Sequence, residues 1–148
     1  MSQKIGWTPV LAAKERGHFS FGTVANATPR ELIIDCTDCD SVSVQVTSGG
    51  NLAATITVLA SNSYIPGPAD AQFGAPAGAA PQRAGTFVAI TTRVTGITNP
   101  AGAGGDCIIS IAAAAEPLVT HSFVKVVFTQ SGGSGALDMF VSGKAVGR

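Results

Sequence analysis

A chain of 148 residues has room for one domain with a real hydrophobic core. Nine Lys and Arg balance nine Asp and Glu, so there is no basic excess with which to grip nucleic acid. Charged residues make up 12 %, about half the usual ~25 %, and none lies between Asp40 and Asp70. A soluble monomer normally keeps its surface charged and mixed, so this composition points to a surface that meets other protein, including copies of itself.

Residues 1–18 lack a long apolar core and a cleavage site, which implies a protein made in a cytoplasm rather than secreted. Trp7, Pro9, Gly17 and Pro29 break any long helix in residues 1–30, leaving only Val10 to Arg16 for a short helical turn. His18 to Phe21 reads as a brief strand with both phenylalanines on one face. Residues 1–30 are therefore expected to form an N-terminal arm or first strand lying over a single β-sandwich domain of residues 31–148. Glu31 to Cys36 is a compact apolar strand, and Thr37-Asp38-Cys39-Asp40 supplies turn residues after it.

Ser41 to Asn62 shows the clearest pattern in the chain. Val42, Val44 and Val46 alternate with polar residues, then Leu52, Ala54, Ile56 and Val58 do the same beyond Ser48-Gly49-Gly50-Asn51. Period-two alternation on both sides of a Gly-Gly-Asn turn predicts a β-hairpin. Phe123 to Lys144 nearly repeats it, with Val124, Val126 and Phe128 leading through Ser-Gly-Gly to Leu137, Met139 and Val141. Convergence on one turn chemistry accounts for the likeness better than an internal duplication, because the matched stretch is short.

Between these pairs, Ser63 to Gly85 holds four prolines and no periodicity, a loop length that compact domains reserve for functional or disordered segments. Thr86 to Val94 reads as a strand, Gly96 to Asp106 as a Gly-rich connection, and Cys107 to Ile111 as another strand. Ala112 to Ala115 fits either a strand continuation or a helical turn, ended by Glu116-Pro117. That pair also interrupts the most apolar stretch, Ile108 to Val119, so no membrane span is expected. Six to eight strands without a convincing helix predict an all-β fold, an antiparallel β-sandwich or jelly roll with an extended N-terminal arm and a long Pro/Gly/Ala-rich loop.

No motif carries catalytic chemistry, and the chain is not expected to be an enzyme or to hold a cofactor. Cys36-Thr37-Asp38-Cys39 is one CxxC, with Cys107 as a third thiol; tetrahedral zinc would need His18 or His121 as a fourth ligand, and structural zinc sites usually bring two such pairs. A redox CxxC opens a helix, whereas a strand pattern follows this one, so three reduced cysteines are expected. There is no Gly-x-Ser-x-Gly elbow to activate a serine beside His18 or His121. No helix follows Gly102-Ala103-Gly104-Gly105 to aim amides at a phosphate. Asp35, Asp38 and Asp40 fit turn-capping better than any calcium loop.

The turn and strand motifs at Ser48 to Leu52, Thr55 to Asn62, Phe123 to Gly135 and Val141 to Lys144 together resemble small virion structural proteins of tailed bacteriophages. The resemblance covers about a third of the chain and implies a capsid decoration or cement protein that binds and stabilises the phage head, located in the virion. It carries over no active-site residues, and the long Pro/Ala/Gly loop departs from it. A jelly-roll capsid or tail subunit is the alternative within the same class; a carbohydrate- or receptor-binding β-sandwich is the alternative outside it. The latter would use aromatic platforms, of which the chain offers Trp7, Tyr64 and seven phenylalanines. Tyr64, Ile65 and Phe73, in a segment with no core periodicity, are the side chains expected to contact a partner, aided by Trp7 and the rest of the N-terminal arm.

Overall fold

The computed structural model describes residues 8–64, 85–111 and 121–145. Nine strands occur among them: β1 (Val10–Ala12), β2 (Gly17–Val24), β3 (Arg30–Asp35), β4 (Ser41–Ser48), β5 (Ala53–Ser61), β6 (Val88–Ala89), β7 (Gly105–Ser110), β8 (Phe123–Gly132) and β9 (Gly135–Lys144). No α-helix occurs among the described residues; the only helical turns there are 3-10 turns at Ala13–Glu15 and Thr91–Arg93. The strands form a five-stranded sheet, β1-β3-β8-β5-β6, and a four-stranded sheet, β2-β9-β4-β7. Every pairing is antiparallel except β1 beside β3.

The pairs β2·β9, β3·β8, β4·β7 and β5·β6 are those of one long hairpin of eight strands. Rolling that hairpin brings β4 against β9 and β5 against β8, which closes the two sheets over each other. This connectivity is a jelly roll. The core lies between the sheets: Val42, Val44, Val46, Ile109, Leu137, Met139 and Val141 from one meet Leu32, Ile34, Ile56, Val58, Val124, Val126 and Phe128 from the other. The inward residues are the ones the alternation marks.

The expected hairpins are not hairpins. β4 and β5 lie in different sheets, as do β8 and β9, so each Ser-Gly-Gly is a corner that carries the chain across the sandwich. Alternation states which side chains face the core, and it does so identically for a hairpin and for a corner between facing sheets. The two corners dock on each other. The N–H of Gly49 donates to the carbonyl of Ala136 at 2.9 Å, and that of Asn51 to the carbonyl of Ser134 at 3.1 Å. Asn51 Oδ1 in turn accepts from the N–H of Ser134 at 2.9 Å.

Two further expectations are refined. Of the arm or first strand expected over residues 1–30, residues 10–24 take the strand form, including His18 to Phe21, and are built into the sandwich rather than laid over it: β1 joins one sheet and β2 the other, and only Ala13–Glu15 of the expected helical stretch turns. The strand expected over Thr86 to Val94 shrinks to Val88–Ala89. Beyond it, side chains replace strand pairing along β5: Thr91 Oγ1 accepts the N–H of Val58 at 3.0 Å, and Asn99 Oδ1 that of Ile56 at 2.9 Å.

Candidate interaction face

The outer face of the four-stranded sheet is built from the residues that alternate with the core. Pairing register sets them in rows across β2, β9, β4 and β7. One row is His18, Phe140, Gln45 and Ile108. The next, on one side, is Ser20, Asp138, Thr47 and Asp106. On the other side stand Ser142, Ser43 and Ser110, with Arg16 just ahead of β2, and then Lys144 beside Ser41. The face thus runs from an acidic end, through an apolar and amide row, to a serine row with a basic end.

Phe140 is 41 % exposed and Ile108 61 %, two of the three large apolar side chains exposed in this way among the described residues; the third is Val88 at 63 %. A shallow groove of about 510 Å³ runs over this face, lined by Arg16, His18, Ser43, Gln45, Ile108 and Phe140 among others. His18 is held in two ways. Its ring stacks on Phe140, centroids 4.3 Å apart and planes within 7°. Its Nε2 donates to Asp138 Oδ1 at 2.8 Å, since a carboxylate can only accept. The arrangement sets apolar surface from Phe140 and Ile108 among hydroxyls and amides, with the His18 imidazole and the Asp138 carboxylate hydrogen-bonded to each other.

The residues marked in the sequence as partner contacts fare differently. Tyr64 is only 6 % exposed. Its ring sits against Phe87 and Phe123, at centroid distances of 4.9 and 5.3 Å, and its N–H donates to Ser61 Oγ at 2.9 Å. Within this chain it is therefore a packing residue of the five-stranded sheet's outer side, where Lys125 also lies 4.4 Å over Phe87. Trp7, Ile65 and Phe73 lie outside the described residues, as do most of the Pro/Gly/Ala loop and Ala112 to Ala115. Sequence reasoning missed Phe140 and Ile108. Both sit at the outward phase of their strands, and that break in alternation was the available signal.

The cysteines are buried and free. Cys36 and Cys39 close one turn, the N–H of Cys39 donating to the carbonyl of Cys36 at 3.1 Å, and Cys107 faces the core from β7. Burial first, then the neighbouring Cys39 and Asp35, pushes the Cys36 thiol up to about 12. Burial, then Asp38, also raises Cys39. Asp35 Oδ1 accepts the N–H of Thr37 at 2.9 Å, the turn-capping role expected of it. No group of three or more His, Cys, Asp or Glu placed to hold a metal occurs among the described residues.

The fold is an all-β sandwich, a class in which nothing is peculiar to one activity. No family model matches the chain, and no curated protein or solved structure does either.

Proposed function

We propose that the chain is a non-enzymatic structural protein of a virion, a decoration or cement protein that binds the head of a tailed bacteriophage and stabilises it. The observation that carries this reading is the row of His18, Phe140, Gln45 and Ile108 on a sheet face whose central strand β4 presents only Ser41, Ser43, Gln45 and Thr47 outward. A surface of this kind gains by being covered, and many modest contacts repeated over a shell hold firmly through multivalency. A jelly roll is also an architecture that viral capsid proteins use, which supports the reading by analogy of fold. The N-terminal arm and the Pro/Gly/Ala loop are proposed as further contacts, with neighbouring virion proteins and copies of itself as partners and no nucleic acid or membrane.

The test is immunogold labelling, with antibody to the purified chain, of phage particles induced from the cells that carry the sequence. Labelled heads support the reading, and labelled tails support the tail-subunit alternative. Unlabelled particles overturn both. The carbohydrate-binding alternative draws on the same groove, where Phe140 lies beside Arg16, Ser43 and Gln45; retention on immobilised glycans that Phe140→Ser abolishes would favour it instead.

A further inference from the structure

Resting on the assembly reading above, we infer that the outer face of the four-stranded sheet docks on the same face of a second copy, about a twofold axis running across the strands along the His18–Phe140–Gln45–Ile108 row. Three observations carry this. The row spans all four strands, with His18 stacked on Phe140 and Gln45 between Phe140 and Ile108, so two of the exposed large apolar side chains stand on one line across the sheet. The face is polar along the strands: Asp138 and Asp106 lie on one side of the row, Arg16 and Lys144 on the other. No ion pair joins Arg16, Lys144 or Asp106 to another group among the described residues.

The charge order selects the axis. A twofold axis parallel to the strands would lay acid on acid and base on base. An axis across them turns the second copy end for end, so Arg16 of each copy comes opposite the acidic row of the other, next to Asp138. The contact is isologous, using one patch twice, and both copies gain the same pair of attractions. Phe140 then meets Phe140 and Ile108 meets Ile108, which removes both from water.

The size of the face sets the strength. Four strands at ~4.8 Å and about six residues at ~3.3 Å give roughly 400 Å² per copy, half of the ~800 Å² of a standard interface. The pair is therefore weak in isolation, with a dissociation constant on the order of 0.1–1 mM, and is a contact that a shell multiplies.

The experiment is sedimentation equilibrium of the full-length protein from ~10 µM to ~1 mM at low salt, with far-UV circular dichroism as the check on folding. Wild type shows concentration-dependent dimerisation that weakens as salt screens the charges. Arg16→Glu and Asp138→Arg each weaken it by about tenfold or more, because each sets like charges opposite one another at both copies of the contact. An equimolar mixture of the two variants dimerises again. The glutamate introduced in one chain then faces the arginine introduced in the other, while the native Asp138 of the first faces the native Arg16 of the second. Ile108→Asp, at a side chain 61 % exposed, also abolishes the dimer without unfolding the chain. A wild type that stays monomeric throughout overturns the inference, as does a mixture no tighter than either variant alone. A monomer that still labels phage heads would remove this contact and leave the virion role intact; a dimer of protein absent from virions would do the reverse.

Discussion

Gly135 has no room for a β-carbon: one built there would lie 2.1 Å from the carbonyl oxygen of Gly49 in the facing corner. Gly50 and Gly133 are confined in the same way, at 2.1 Å from Ser134 O and 2.0 Å from Asn51 O, and both have positive φ. The repeated Ser-Gly-Gly thus serves close backbone approach as well as turning. Gly135→Ala should destabilise by about 3 kcal/mol in urea titration, because backbone must move, while Gly132→Ala, with nothing within 4 Å, should stay within ~0.5 kcal/mol. Two equal midpoints would show that the corners do not dock this tightly. Cys36 supplies a pH dependence. Its thiol is raised from 9.0 to about 12 by burial, so the folded state holds its proton where the unfolded state has lost it. That stability is fully present below pH ~9 and is lost as pH climbs toward ~12, by on the order of 4 kcal/mol in all. Cys36→Ala should flatten the alkaline limb of the stability curve, and a limb of unchanged slope would assign it to other groups.

At the scale of the element, β5 shows what a short neighbour costs and how it is offset. β6 pairs only at Leu59 and Ala60, so the amides of Ile56 and Val58 would face an empty edge without Asn99 and Thr91. Asn99→Ala should cost about 1–3 kcal/mol by leaving the Ile56 N–H unpaired, and Asn99→Asp clearly less because an acceptor remains. Equal losses from the two would mean that the amide does something other than accept. The same strand explains which parts of the fold the sequence disclosed. Alternation at Val42 to Val58 and Val124 to Val141 named nearly every inward side chain, because burial of one face is a local property. Pairing is not local: a corner and a hairpin share residues, period and turn chemistry. The strand over Thr86 to Val94 failed for a related reason. Its β-branched residues suit a strand, yet Thr91 hydrogen-bonds to Val58 as a side chain and the backbone turns away. The candidate face was hidden because Phe140 and Ile108 read as ordinary strand apolars until register set them in one row beside Gln45.

For the whole molecule, the long-hairpin connectivity makes the first large strand pair with the last. Gly17 of β2 lies opposite Val141 of β9, and β9 sits between β2 and β4, so the four-stranded sheet is not complete without it. One core cluster receives residues from both sheets, and no smaller set of strands encloses it. Unfolding should therefore be a single transition, with far-UV circular dichroism and aromatic fluorescence coinciding across a urea titration. Refolding should be slow for a chain of this length, in the range of milliseconds to seconds or longer, because loops of roughly a hundred residues must close before β2·β9 and β3·β8 contacts repay them. The spectrum should be β-dominated throughout, and a helix content near ~30 % would contradict the fold. Deleting Gly135–Lys144 tests the topology most directly. In a sandwich of independent hairpins the remainder would keep one sheet and melt at a lower temperature. In this jelly roll the loss opens the middle of the four-stranded sheet and uncovers Leu32, Ile56 and Phe128, so the truncated chain should show no cooperative transition at all.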